Sequence, residues 1–193
     1  METVVKKTRK QQIEEKATKL FRQKGYAATS MRDLAQVLGI EAASLYSHIK
    51  SKEEILQKIC FRMADEFFAG WKEVEEEHGS QSAKMEKAAI AYIKVITKDT
   101  DASAVFFNEW RHLSEPHLSK FLKMKDDYEG RFIKIFKDGM DAGEFHKADE
   151  KFMMLTILSS LNWTYNWYKP TGSLSPEEIG KKLANLILNG LKR

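Results

Sequence analysis

The sequence predicts an all-α protein: a three-helix helix-turn-helix head at the N-terminus and a larger helical region after it, about nine helices in all. Three observations carry this. Apolar residues recur at helical spacing through almost the whole chain, and no stretch makes a convincing strand. Helix breakers stand in a few clusters, and only 3 Pro and 10 Gly among 193 residues leave little room for loop. Around Gly39, two short helices are backed by apolar positions, and the second exposes small and polar residues.

In chain order, a basic arm (Lys6, Lys7, Arg9, Lys10) leads into a first helix that runs to about Lys24. Ile13, Ala17, Leu20 and Phe21 form its stripe, Gly25 stops it, and Tyr26 packs in the same head. Ser30 and Asp33 have the spacing of a capping box, in which the hydroxyl takes up a free N–H of the first turn. Leu34, Ala35 and Leu38 then share a face. Gly39 ends that helix where a left-handed residue carries no steric cost, and Ile40 plugs the turn. From Ala42 the next helix turns Leu45 and Ile49 inward, four apart. That leaves Ala42, Ala43, Ser44, Tyr46, Ser47 and His48 facing out.

Ser51 with Glu54 is a second capping box and opens a helix from about Lys52 to Glu77. Leu56, Ile59, Cys60, Met63, Phe67, Trp71 and Val74 stripe it, and His78-Gly79-Ser80 ends it. No linker interrupts this helix, so it is expected to join two domains, 1–51 and 52–193, as a rigid lever. The rest reads as helix over Gln81–Lys98, Ala102–Leu113, His117–Ala142, Asp149–Lys169 and Pro176–Lys192. The breakers between them are Ser114-Glu115-Pro116, Gly143 and Pro170-Thr171-Gly172-Ser173. Ser175-Pro176-Glu177-Glu178 starts the last helix, with Pro at its first position and acids in its first turn.

Composition bounds the function. At 42% hydrophobic and 31% charged, the chain is that of a soluble globular protein. The single Cys60 excludes an internal disulfide or a cysteine metal cluster and suits a reducing cytoplasm. The first ten residues lack the apolar core of a signal peptide. The longest apolar stretch, Phe152 to Trp163, falls short of the roughly 20 residues that span a bilayer. Charge is uneven: residues 1–58 hold 12 Lys and Arg against 7 Asp and Glu, while the remainder holds 20 against 21. The positive excess lies with the helix pair, as a phosphate-binding module requires.

An apolar-backed helix pair with small and polar residues outward suits the major groove, though an ordinary αα-turn of a helical core has the same outline. The wording is more specific. Thr29, Leu34-Ala35, Gly39-Ile40, Leu45-Tyr46, His48 and Lys52 resemble the DNA-binding head of the TetR family of bacterial transcriptional regulators. Ile49 replaces the family's usual Phe. Glu41 stands where a Ser or Thr often caps the recognition helix, and Ala43 where Gly is common. The resemblance implies a cytoplasmic homodimer on a palindromic double-stranded operator, usually a repressor released by ligand. It places Thr29, Ser30, Arg32, Ala42, Ala43, Ser44, Tyr46, Ser47, His48 and Lys52 at the DNA. Tyr46 and Lys52 are expected on phosphates and Ser44 nearer the bases, because Leu45 and Ile49 face inward.

Two features of the C-terminal region bear on function. The helix over Phe152–Tyr168 is apolar nearly all round, and Ile179, Leu183, Leu186 and Ile187 stripe the last helix, with Gly180 and Gly190 allowing close approach. One thin domain hardly covers both helices. A two-fold four-helix interface through Leu158, Ile179, Leu183, Leu186 and Ile187 is the natural solution, an internal core the alternative.

The middle is rich in aromatic residues, which at helical spacing is more often core than pocket. The family resemblance implies a small-molecule cavity here. The stretch Asn162 to Ile179, with the earlier Asn108-Glu109-Trp110-Arg111, resembles a subgroup controlling fatty-acid and steroid-ring breakdown, whose regulators respond to coenzyme A thioesters. Candidate contacts for such an acyl-CoA are Phe67, Trp71, Tyr92, Phe107, Trp110, Arg111, Tyr128, Asn162 and Tyr165. A drug-sensing repressor of an efflux pump is the runner-up on the same fold. From another class, Glu109-x-x-His112 has the spacing of a di-iron half-motif, but a full site needs two such pairs and two further inward glutamates on facing helices. No catalytic residue, metal or cofactor is expected.

Overall fold

The computed structural model describes residues 7–191, with side-chain environments up to residue 189. Lys6 of the basic arm, Lys192 at the expected end of the last helix and the packing of Gly190 lie outside these. The regular elements among the described residues are helices: α1 Arg9–Lys24, α2 Met31–Leu38, α3 Ala42–Tyr46, α4 Lys52–Glu75, α5 Gln81–Lys98, α6 Thr100–Glu109, α7 His117–Asp141, α8 Glu150–Asn162, α9 Thr164–Trp167 and α10 Pro176–Leu191. The nine expected helices are all present. The eighth differs in continuing past a break at Trp163 as the four-residue α9. A 3-10 turn, Trp110–His112, finishes the expected sixth. Arg9 and Lys10 are not arm but the first turn of α1, because Thr8 and Gln11 already close a reciprocal capping box there.

By their contacts the described residues form two compact units. One holds the chain up to Arg62 together with Asp101–Ser119; the other holds Met63–Thr100 with the chain from Lys120 on. Helix α4 contributes to both.

In the first unit, Ile13, Phe21, Leu34, Leu45, Leu56 and Ile59 are essentially closed to solvent. Arg62 Nε reaches the Glu14 carboxylate at 3.2 Å, and Lys24 Nζ lies 2.9 Å from Asp33. Exposed pairs of this kind contribute at most about 1 kcal/mol each, so burial carries the unit. The segment Asp101–Ser119 belongs here through specific contacts. Asp101 pairs with Arg22, the His112 ring stacks on Tyr26 at 5.1 Å, and the Ser114 N–H donates to Glu53 at 3.0 Å.

The second unit is built on α5. α10 lies along it, and α8 and α9 pack beside it. Gly180 makes the first packing possible: a Cβ there would lie 2.6 Å from Cα of Ile90. Phe67, Trp71, Tyr92, Tyr128 and Phe132 form a ring cluster, with Phe67 and Tyr92 centroids 4.6 Å apart and Trp71 and Phe132 4.9 Å apart. No helix among the described residues is long and apolar enough to cross a membrane.

Candidate functional site

The site begins with the turn between α2 and α3. Ser30 starts α2 with a two-way cap: its hydroxyl accepts from the Asp33 N–H, and the Asp33 carboxylate accepts from the Ser30 N–H. The Lys24 ammonium and then the Ser30 donors hold the Asp33 carboxyl well below the usual carboxylate range. At the other end Gly39 is left-handed, with φ 64° and ψ 37°, and the Ile40 N–H closes on the Ala35 carbonyl. This C-cap pattern reverses the chain in two residues. Helix α3 is shorter than expected and ends at Tyr46; Leu45 on it and Ile49 in the turn after it are buried, so the positions between them turn outward.

Ala43, Ser44, Tyr46 and Ser47 are exposed, and Ala42 and His48 half-buried. Ser30 and Arg32 are exposed on α2, and the Arg32 guanidinium has no ion pair among the described residues. Together these make a surface of small and polar groups with its backbone accessible, which a helix entering a major groove needs. Beside it lies an open groove of about 430 Å³, lined by Ala27 to Met31, Tyr46, and Lys50 to Lys52.

Two expected contacts spend their polar groups on the chain itself. Thr29 is 1% exposed, and its hydroxyl donates to the Gly25 carbonyl at 2.7 Å, so it holds the α1–α2 loop rather than facing outward. Lys52, expected on a phosphate, directs its ammonium at the carbonyls of Tyr26, Ala27 and Thr29, at 2.8, 3.3 and 2.8 Å, and lies over the Tyr26 ring at 4.3 Å. An ammonium has three N–H bonds, and all three are taken. Lys52 therefore braces the loop against α4. Burial, and then the Glu53 carboxylate, push the Tyr26 phenol up to about 12, so it stays neutral beneath that brace. The residue that sequence reasoning passed over is Lys50. It is exposed, lines the groove, and uses only its backbone N–H locally, on Glu54. Its position just after the recognition helix was the available signal.

The expected effector contacts divide between the units. Phe67, Trp71, Tyr92, Tyr128, Asn162 and Tyr165 lie in the second; Phe107, Trp110 and Arg111 lie in the first. The Tyr92 hydroxyl donates to Asn162 Oδ1 at 2.6 Å, and burial raises the phenols of both Tyr92 and Tyr128. Arg111 is exposed and stacks its guanidinium on the Trp110 ring at 4.4 Å. Glu109 and His112 approach each other at 3.5 Å, and no group of three metal-ligating side chains occurs among the described residues.

The expected seam also divides. Leu158 and Ile179 are buried within their own chain, because α10 turns Ile179, Ala184 and Leu188 inward. Leu183 and Ile187 are half-buried, and Leu186 is 73% exposed. Phe152, Leu155 and Trp163, which the sequence offered only as part of an all-round apolar helix, are exposed as well.

Comparison with known proteins agrees with this geometry. Residues 13–59 match the model of bacterial regulatory proteins of the tetR family, and residues 78–191 match that of the tetracyclin repressor-like C-terminal domain. The HTH-type transcriptional repressor KstR2 of Rhodococcus jostii is 25% identical over 192 residues, covering 98% of this chain and 94% of that protein. The structure of the ketosteroid transcriptional regulator KstR2 of Mycobacterium tuberculosis superposes with a TM-score of 0.87 at 23% identity, covering 97% of each chain. AibR, solved in complex with isovaleryl coenzyme A and operator DNA, gives a TM-score of 0.78 at 23% identity, covering 93% of this chain and 97% of its own. These two structural likenesses speak for the fold. With the helix-turn-helix, the cap at Gly39 and both family models in agreement over most of its length, the chain belongs to the TetR family of bacterial transcriptional regulators.

Proposed function

We propose that the protein is a cytoplasmic homodimeric repressor that leaves a palindromic operator when an acyl-CoA thioester binds its C-terminal domain. The observation that carries the DNA half is the exposed face of α3, small and polar, held outward by buried Leu45 and Ile49. In this reading residues 1–51 bind DNA and residues 52–193 bind effector and dimerise. Ser30, Arg32, Ala42, Ala43, Ser44, Tyr46, Ser47 and His48 meet the operator, and Lys50 adds a phosphate contact. The chain acts by binding, without a catalytic centre or cofactor.

The effector half rests on the aromatic residues around Trp71 and Tyr92 and on AibR, a relative in fold solved in complex with isovaleryl coenzyme A and operator DNA. Release requires that ligand bind the DNA-incompetent arrangement more tightly than the competent one. The test adds a chain-length series of acyl-CoAs to a preformed protein–operator complex. Dissociation that depends on chain length is the expected result. A complex that resists every thioester but dissolves with cationic dyes assigns the drug-sensing role instead.

A further inference from the structure

Glu41 stands at the start of the recognition helix and has no local task. Thr8, Ser30, Ser80 and Asp149 each use their side chain to accept an N–H of the helix they begin, and Ser51 and Ser175 do the same for α4 and α10. Glu41 gives only its carbonyl, to the Leu45 N–H; its carboxylate makes no cap bond. The side chain is exposed and has no ion pair among the described residues. A negative charge so close to the DNA path opposes every phosphate, and here no lysine or arginine neutralises it.

We infer that the Glu41 carboxylate reads the exocyclic amine of a cytosine in each operator half-site. The inference rests on the reading of α3 as the recognition helix, whose N-terminal residues are the ones that reach base edges. On this face Glu41 is the one anionic side chain. Ala42 and Ala43 have no polar group in their side chains, and the Ser47 hydroxyl spends its proton on the Ser44 carbonyl at 2.7 Å, leaving its oxygen only a neutral acceptor. A carboxylate accepts and cannot donate, so it is repelled by the O6 and N7 of guanine and the O4 of thymine. Adenine offers an amine, but beside the acceptor N7. Cytosine offers its N4 amine with no neighbouring acceptor on the same base in the major groove. The charge thus weakens binding to all DNA and is offset only where cytosine stands opposite, which raises discrimination against non-operator sequence.

The test is selection of full-length protein on a randomised duplex library, with wild type, Glu41→Gln and Glu41→Ala in parallel. Wild type should enrich cytosine at one symmetric position per half-site, preferring it roughly 5- to 100-fold over other bases. Glu41→Gln should shift that position towards adenine, whose N6 and N7 suit a carboxamide. Glu41→Ala should lose the preference there, keep the rest of the motif, and bind a scrambled duplex more tightly. If all three enrich the same motif while both variants bind every duplex more tightly, Glu41 is a general repelling charge and the inference falls. A folded wild type that enriches no motif overturns the reading of α3 itself.

Discussion

Lys52 and Lys50 are two residues apart, both basic, and differ in role because of where their ammonium groups find acceptors. Lys52 has three carbonyls within reach and an aromatic ring beneath it; Lys50 has a groove open to solvent. Lys52→Ala should therefore act on stability. Removing a charged donor from carbonyls that are partly buried costs roughly 1–3 kcal/mol, read as a lower midpoint in denaturant titration. The salt dependence of DNA binding should barely move. Lys50→Ala should do the reverse, leaving stability unchanged and lowering the slope of log affinity against log salt by about one, on operator and scrambled duplex alike. Titrations at several salt concentrations separate the two, and an exchange of these outcomes would return Lys52 to the phosphates.

At the scale of elements, the contact between α5 and α10 turns on one missing side chain. At Gly180 a methyl would sit 2.6 Å from Cα and 2.9 Å from the backbone nitrogen of Ile90. Backbone, unlike the tip of a side chain, has no rotamer into which to withdraw. Gly180→Ala should push α10 off α5 at a cost of about 1–3 kcal/mol, with a fall in melting temperature of roughly 2–4 °C for each kcal/mol. Gly130 makes the control. It is exposed within α7 and nothing lies within 4 Å of an added Cβ, so Gly130→Ala should stabilise by about 0.5–1 kcal/mol through helix propensity alone. Calorimetry of the pair tests sign as well as size. If both variants melt above wild type, α10 does not lie on α5 as described.

For the whole molecule, the question is which apolar surface a second copy covers. Phe152, Trp163 and Leu186 are 71%, 64% and 73% exposed, and α8 and α10, which carry Phe152 and Leu186, are in contact. Residues of this size left open on neighbouring helices mark an interaction face. Leu186→Glu should leave the chain folded, because the side chain lies outside its own core, yet split the dimer by placing unpaired charges in the seam. Operator affinity should fall with it, since only a dimer holds two recognition helices about one DNA turn apart, roughly 34–36 Å. Sedimentation reads the first effect and an operator titration the second. A Leu186→Glu protein that remains dimeric at wild-type affinity would move the interface elsewhere.

What the sequence determined by itself is what neighbours within four residues decide. The capping box of Ser30 and Asp33, the left-handed Gly39, and the inward pair Leu45 and Ile49 were all legible, because a helix start, a helix end and a buried face each leave a local pattern. The recognition helix was visible for the same reason. Only the tertiary structure decided the partners of Lys52, which lie 23 to 26 residues away. The same holds for the packing of Asp101–Ser119 with the head, which depends on pairs such as Arg22 with Asp101 that no spacing announces. It also decided the faces of α10. Ile179 and Leu186 belong to one apolar stripe and are equivalent by pattern, but Ile179 is covered by its own chain and Leu186 is not. Periodicity states that a face is apolar. Which part of it finds cover depends on the path of a distant helix, here on how closely Gly180 lets α10 approach Ile90.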